Sequence, residues 1–229
     1  MNHKKVTLLF TDLEGTILRE SDGQYDDEAM FKFLEQIDNL QNNTDSEVLI
    51  HIVSPIEVNF MEEILDKLDR NIYSYDRIKQ SNLKVPQGAL ASEQNDGYHS
   101  QEFLGDRILP LERIPGIYGP DLARIAKNRY AKSFIEEYKS NPYNDLVMCL
   151  YCGNGRNDLD AMKTVKRTGI GYVLCPKNSR TEARKIANFV SDKEDLPGIT
   201  ECLKNLNRQL NPPNTDEATN NQVKNDIDR

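Results

Sequence analysis

Long apolar runs are missing from this sequence. No stretch approaches the roughly 18 consecutive apolar residues of a membrane span. The opening Met1-Asn2-His3-Lys4-Lys5 leads straight into a strand-like run rather than the apolar stretch of a signal peptide. The expected location is therefore the cytoplasm, with no membrane partner. Cysteine is scarce: Cys149, Cys152, Cys175 and Cys202 form no compact framework, which suits a reducing compartment. No second thiol pair and no histidine cluster completes a zinc site around Cys149-x-x-Cys152, so buried strand thiols are expected. Positive charge is in deficit as well. With 29 Lys and Arg against 37 Asp and Glu the net charge is −8, which argues against nucleic acid, whose phosphate backbone needs a basic surface. A phosphorylated small molecule is not excluded, because a divalent cation and a few local donors can reverse an acidic average. No internal repeat is evident.

What is present is one domain's worth of chain: 229 residues suffice for an α/β domain with an insertion but not for two large domains. The stretch Val6-Thr7-Leu8-Leu9-Phe10-Thr11-Asp12-Leu13-Glu14-Gly15-Thr16 is an apolar, β-branched run that ends on two acids one residue apart, then a glycine and a threonine. It reads as a strand delivering carboxylates to a tight turn. In an extended chain Asp12 and Glu14 share a face and Leu13 points away. At the carboxyl edge of an open α/β sheet such side chains stand where ligands bind. Taken alone, the segment also has a plainer reading, a polar turn after a strand.

Far along the chain the same grammar returns. Leu146 to Cys152 is an apolar strand, Gly153-Asn154-Gly155-Arg156-Asn157 a glycine-rich turn, and Asp158 opens a helix carrying Met162. Between and beyond these stretches, helices and strands alternate. Asp26 and Asp27 precede Met30, Phe33, Leu34, Ile37 and Leu40 at helical spacing, and the polar Gln41 to Ser46 closes that helix. Glu47 to Val53 is a second strand, parallel to the first because a helix connects them. Ser54-Pro55 starts another helix, with Ser54 a candidate N-cap or, beside free helix amides, a phosphate contact. His51 is an ordinary strand side chain.

From residue 71 to 119 prolines and glycines break the pattern too often for long elements. This is the candidate insertion, and His99, Arg107 and Arg113 within it read as surface residues before substrate contacts. A helix starts at Asp121 and continues through Ala131, Phe134, Ile135 and Tyr138. Gly169 to Pro176 is a strand, after which Asn178 and Ser179 can cap a helix with Ala183, Ile186 and Ala187; Phe189-Val190 is a short last strand. Ile199, Cys202, Leu203, Leu206 and Leu210 mark a closing amphipathic helix, and residues 211–229 are expected to be a disordered tail.

The two glycine-and-acid stretches, in this order, resemble the first and last signature motifs of the haloacid dehalogenase superfamily of phosphohydrolases. The first is Asp-x-Asp-x-Thr after an apolar strand, matched by Asp12, Glu14 and Thr16; the last is Gly-Asp-Gly-x-Asn-Asp followed by a methionine, matched by Gly153, Gly155, Asn157, Asp158 and Met162. The resemblance implies a Rossmann-like three-layer sandwich with a mainly parallel sheet, a core of residues 1–70 and 120–210, and a small cap at 71–119. Ser54 would be its second motif. Lys127 would be its third, a lysine that neutralises phosphate and nucleophile, with Lys132 the rival.

The activity implied is Mg²⁺-dependent hydrolysis of a phosphate monoester through an aspartyl-phosphate. Asp12 would be the nucleophile and Glu14 the acid and base, and Ser54, Thr16 and Lys127 would bind phosphate or orient the loop. Asp12, Glu14, Asp158 and Asn154 would hold the metal. A phosphomonoester is already anionic, so a carboxylate nucleophile requires cations nearby. The expected substrate is a phosphorylated small molecule ahead of a protein. Two residues depart from the pattern: Glu14 replaces an aspartate, as in enolase-phosphatases, and Asn154 replaces an acid, which predicts weaker Mg²⁺ binding. Asp160, two positions past Asp158 on a helix, should face elsewhere. A hydrolytic dehalogenase would need neither Glu14 nor metal. The alternative of another class is a catalytically weak relative that binds a phosphorylated ligand or a protein partner.

Overall fold

The computed structural model describes residues 3–21, 23–24, 26–53 and 120–212. Ser54, the 71–119 insertion with His99, Arg107 and Arg113, and the tail from residue 213 lie outside them.

Five strands form a parallel sheet among the described residues: β1 (Lys4–Thr11), β2 (Glu47–Ile52), β3 (Asn144–Cys152), β4 (Gly171–Cys175) and β5 (Phe189–Val190), in the order β2-β1-β3-β4-β5. Parallel strands buried on both faces need apolar side chains at successive positions, and β1 supplies them: Val6, Leu8, Leu9 and Phe10 are all fully buried. Alternation sorts them. Leu8 and Phe10 join Cys149, Tyr151 and Val173 against the helices α2 (Pro120–Ser140), α3 (Leu159–Lys166) and α4 (Thr181–Ile186). Leu9 joins Val48, Ile52, Leu150, Cys152 and Leu174 against α1 (Asp27–Thr44) and α5 (Asp195–Leu210). The result is a three-layer sandwich of helices, sheet and helices, as the resemblance implies.

Local chemistry sets most boundaries. Asp26 caps α1 by accepting from the Ala29 amide at 2.9 Å, and Asp45, in the left-handed region (φ 48°, ψ 44°), ends it. The helix runs through Gln41 to Thr44 before stopping, and Gln41 Oε1 accepts from the Val48 amide at 3.1 Å, fixing the entry to β2. His51 is a strand residue packed in the core, 3.0 Å from the Tyr130 hydroxyl. One expectation fails: neither Asn178 nor Ser179 caps α4, which starts after Arg180 without a side-chain cap. Their side chains are drawn to more distant carbonyls, described below.

All four cysteines are free and buried. Cys149 and Cys152 are three apart on a strand, an odd separation, so they enter opposite core layers and cannot chelate together. Burial pushes the Cys149 thiol up to about 11 and those of Cys175 and Cys202 up to about 12. No described helix is long and apolar enough to cross a membrane.

Strand order decides where a ligand can bind. The chain leaves β1 through α1 to β2 on one side, and the remaining strands lie on the other. The crevice between the carboxyl ends of β1 and β3 is therefore the topological switch point. Both glycine-and-acid stretches exit there, with Thr11 opposite Cys152 in the register.

Candidate active site

Asp12 is the first residue beyond β1, and its amide still donates to the Cys152 carbonyl at 2.8 Å, so the ladder with β3 fixes its backbone. Its side chain turns into the crevice while Leu13 buries itself in the opposite layer. The chain then doubles back. The Leu13 carbonyl accepts from the amides of Ile17 (2.9 Å) and Leu18 (2.8 Å), and the Gly15 amide donates to the Leu18 carbonyl at 2.8 Å. This tight loop needs a positive φ at Gly15, +65°, which explains a glycine there. Glu14 is exposed at its tip. Thr16 is fully buried, and its hydroxyl has no hydrogen-bond partner among the described residues.

The second carboxylate arrives from β3. A Cβ on Gly153 would lie 2.8 Å from the Asp158 carboxyl, so the glycine leaves room for that side chain to fold back over the strand end. A short 3-10 turn, Arg156–Asp158, carries Asp158 into the interior. There Oδ2 accepts from the Gly155 amide at 2.8 Å, and Oδ1 accepts from the Tyr151 hydroxyl at 2.9 Å.

Lys127 joins the two acids. Its Nζ lies 2.8 Å from Asp12 Oδ1 and 2.8 Å from Asp158 Oδ1, and it is only 2% exposed. Lys132, by contrast, is on the surface and pairs with Glu136 at 3.7 Å. Asp160 turns away from the cluster to Arg124, at 3.4 Å.

Two carboxylates around one ammonium leave a net negative charge in a dry place. Burial, then the Asp158 charge, raise the Asp12 carboxyl to about 7 even though Lys127 and the Leu13 amide pull it down. Burial works against the Lys127 charge, but its two acid partners outweigh it and hold the ammonium above its usual value. Burial and Asp158 keep the Tyr151 hydroxyl firmly protonated.

Asn154 is half-buried with its amide against Gly15, where a Cβ would collide with it, and its backbone carbonyl accepts from the Arg180 amide at 2.9 Å. Tyr151 and Asn178 are site neighbours that sequence reasoning missed. Tyr151 sits two residues before Gly153, on the strand face that meets Asp158, so alternation could have found it. For Lys127 a signal was also available. It lies three, four, seven and eight residues before the buried Tyr130, Ala131, Phe134 and Ile135, so it occupies the apolar stripe of α2 while Lys132 does not.

The donors at the crevice fit a hard divalent cation in kind. They are oxygen atoms, with neither histidine nor thiolate among them, and Asp12 Oδ1 takes both of the carboxylate's contacts, to the Leu13 amide and Lys127, leaving Oδ2 uncommitted among the described residues. No cluster of three or more His, Cys, Asp or Glu side chains is assembled among the described residues, so backbone or amide oxygens would have to complete a shell.

No protein-family model matches the chain. Among curated proteins it is similar to the kanosamine-6-phosphate phosphatase of Bacillus subtilis (strain 168), 25% identical over 177 residues. That relative is a phosphatase. The match covers 67% of this chain and 59% of the relative, so the chain spans about three-fifths of the relative's length. Similar solved structures include a haloacid dehalogenase-like hydrolase protein of Bacillus subtilis (22% identity, TM-score 0.45, 90% of each chain). Another is the deoxy-D-mannose-octulosonate 8-phosphate phosphatase of Haemophilus influenzae in a cobalt-bound form (11%, 0.46, 89% of this chain and 87% of that one). A third is the 3-deoxy-D-manno-octulosonate 8-phosphate phosphatase of Moraxella catarrhalis with magnesium and phosphate ions (14%, 0.44, 89% and 86%).

Proposed function

We propose that this protein is a phosphomonoester hydrolase of the haloacid dehalogenase type, acting on a phosphorylated small molecule in the cytoplasm. The observation that supports this most is Lys127, buried 2.8 Å from both Asp12 and Asp158 at the sheet's switch point. A buried ammonium held by two acids at the carboxyl ends of β1 and β3 is arranged for an anion whose charge must be met during reaction.

Asp12 attacks phosphorus through Oδ2, the oxygen that neither Leu13 nor Lys127 engages. The Asp12–phosphorus bond forms as the bond to the leaving oxygen breaks, and Glu14 gives its proton to that oxygen. Glu14, now ionised, takes a proton from water, whose oxygen displaces Asp12 from phosphorus and releases inorganic phosphate. Exposure of Glu14 at the loop tip suits both steps, because it must meet first the leaving group and then solvent. Lys127 balances charge on the phosphoryl oxygens, with Thr16 and Ser54 as further phosphate contacts.

Asp12, Asp158, the Glu14 carbonyl and the Asn154 side-chain oxygen would hold Mg²⁺, which supplies the positive charge that keeps Asp12 ionised and screens the approach of two anions. Residues 71–119 would form a small cap that helps choose the substrate.

The test is phosphate release from an aryl phosphate, with and without Mg²⁺, comparing the parent with Asp12→Asn. Metal-dependent turnover that disappears in the variant is expected. A folded parent that neither turns over nor binds Mg²⁺ would overturn the reading in favour of a binding protein.

A further inference from the structure

The loop after β4 holds both acid-bearing loops at once. Asn178 Nδ2 donates to the Gly15 carbonyl at 3.0 Å, Ser179 Oγ donates to the Gly153 carbonyl at 3.4 Å, and the Arg180 amide donates to the Asn154 carbonyl at 2.9 Å. Three consecutive residues thus grip the turn beyond Asp12 and the turn before Asp158.

The grip has a rigid base. Asn178 Nδ2 also donates to Asp195 Oδ1 at 2.8 Å, and the Asp195 amide returns a hydrogen bond to Asn178 Oδ1 at 3.1 Å, a reciprocal pair at the start of α5. Next to it the Lys177 amide donates to the Lys193 carbonyl at 2.7 Å. Gly198 lets Pro176 settle directly on α5, since a Cβ there would lie 2.8 Å from the proline ring. The asparagine therefore cannot drift without disturbing the helix start. What it holds is the one peptide of the Asp12 loop at positive φ, Gly15, where the backbone is least constrained by sterics.

We propose that Asn178 is a positioning residue that fixes the Asp12–Thr16 loop, and with it the nucleophile and Glu14, from the N-terminus of α5. It touches no reacting atom. Its effect passes through the Gly15 carbonyl, and its role in catalysis rests on the phosphatase reading above.

Asn178→Ala removes both ends of the link. Asn178→Asp, made together with Asp195→Asn so that the new carboxylate does not face a second one, keeps the shape and the acceptor for the residue 195 amide but loses the donor to Gly15, and so remains informative if the alanine variant fails to fold. Two readouts are needed on the full chain: amide hydrogen exchange at Gly15, Ile17 and Leu18, and the separate kcat and KM for an aryl phosphate with Mg²⁺. Loss of one hydrogen bond to the loop should speed exchange at these amides by about tenfold and lower kcat by about as much, with KM within about twofold. Unchanged exchange in the aspartate variant overturns the proposal, as does a loosened loop with unchanged kcat. A folded parent that neither turns over nor binds Mg²⁺ defeats the phosphatase reading by itself, and exchange at Gly15 then still decides whether Asn178 holds the loop.

Discussion

Lys127 Nζ stands 2.8 Å from Asp12 Oδ1 and 2.8 Å from Asp158 Oδ1, joining the end of β1 to the turn after β3 through a charge that solvent barely reaches. Removing it would leave two buried carboxylates facing each other. Lys127→Met should therefore cost about 3–5 kcal/mol of stability, the range for breaking a buried ion pair from one side. Turnover should fall by about 10²–10³ or more. Lys132→Met, on the surface, should stay within about 0.5 kcal/mol of the parent. Urea denaturation of the two variants checks this, and equal midpoints would mean that Lys127 does not balance the cluster.

Glu14 has the opposite profile, exposed at the tip of a loop whose backbone is fixed without its side chain. Glu14→Gln should leave the denaturation midpoint unchanged while kcat drops by about 10²–10⁴, the usual worth of a general acid and base. A variant with near-parental kcat would move the proton transfers to another group.

The fold was legible because parallel strands and amphipathic helices announce themselves by period. Leu8 and Phe10 against Leu9, and Tyr130, Ala131 and Phe134 on α2, repeat patterns that need no knowledge of distant partners. Asp12 and Asp158 were legible for a related reason: each follows a strand end at a glycine-rich turn, and strand order then brings the two ends together. Asn178 and Ser179 were misread as caps because a short polar residue before a helix has that local use by default. The carbonyls that capture them, on Gly15 and Gly153, are 163 and 26 residues away, and nothing in the local pattern records such a competitor.

The raised Asp12 carboxyl makes a prediction about pH. Its folded value, about 7, lies above the ordinary 3.8, so the native state holds this proton more tightly than the unfolded chain does. Its contribution is fully present below about pH 4 and is lost as pH rises through 7, with a slope of at most about 1.4 kcal/mol per unit. Other carboxylates act in the reverse sense, so the clean quantity is a difference. In metal-free solution, the stability of Asp12→Asn relative to the parent should grow from pH 4 to 7 and then level off, and Mg²⁺ should shrink that difference by stabilising the ionised parent. A difference flat across this range would show that Asp12 ionises normally.

Asn154 is where this chain spends one negative charge fewer than the motif it resembles. Its side chain lies against Gly15, at the mouth between the two acid-bearing turns, so an acid there would add a third carboxylate to a cluster already carrying two around one ammonium. Without metal that charge is repelled by its neighbours, and Asn154→Asp should lower the thermal midpoint at pH 8. With Mg²⁺ the same charge becomes a ligand, because affinity for hard cations rises with the number of ionised oxygens in the shell. The two effects have opposite signs in one protein, which separates metal ligation from a general loss of packing. Titration calorimetry should give Mg²⁺ binding tighter by about tenfold, close to 1.4 kcal/mol, and the thermal midpoint should recover as Mg²⁺ is added. If the substitution destabilises the protein and Mg²⁺ affinity stays at the parental level, position 154 lies outside the metal shell and its amide serves only to close the loop over Gly15.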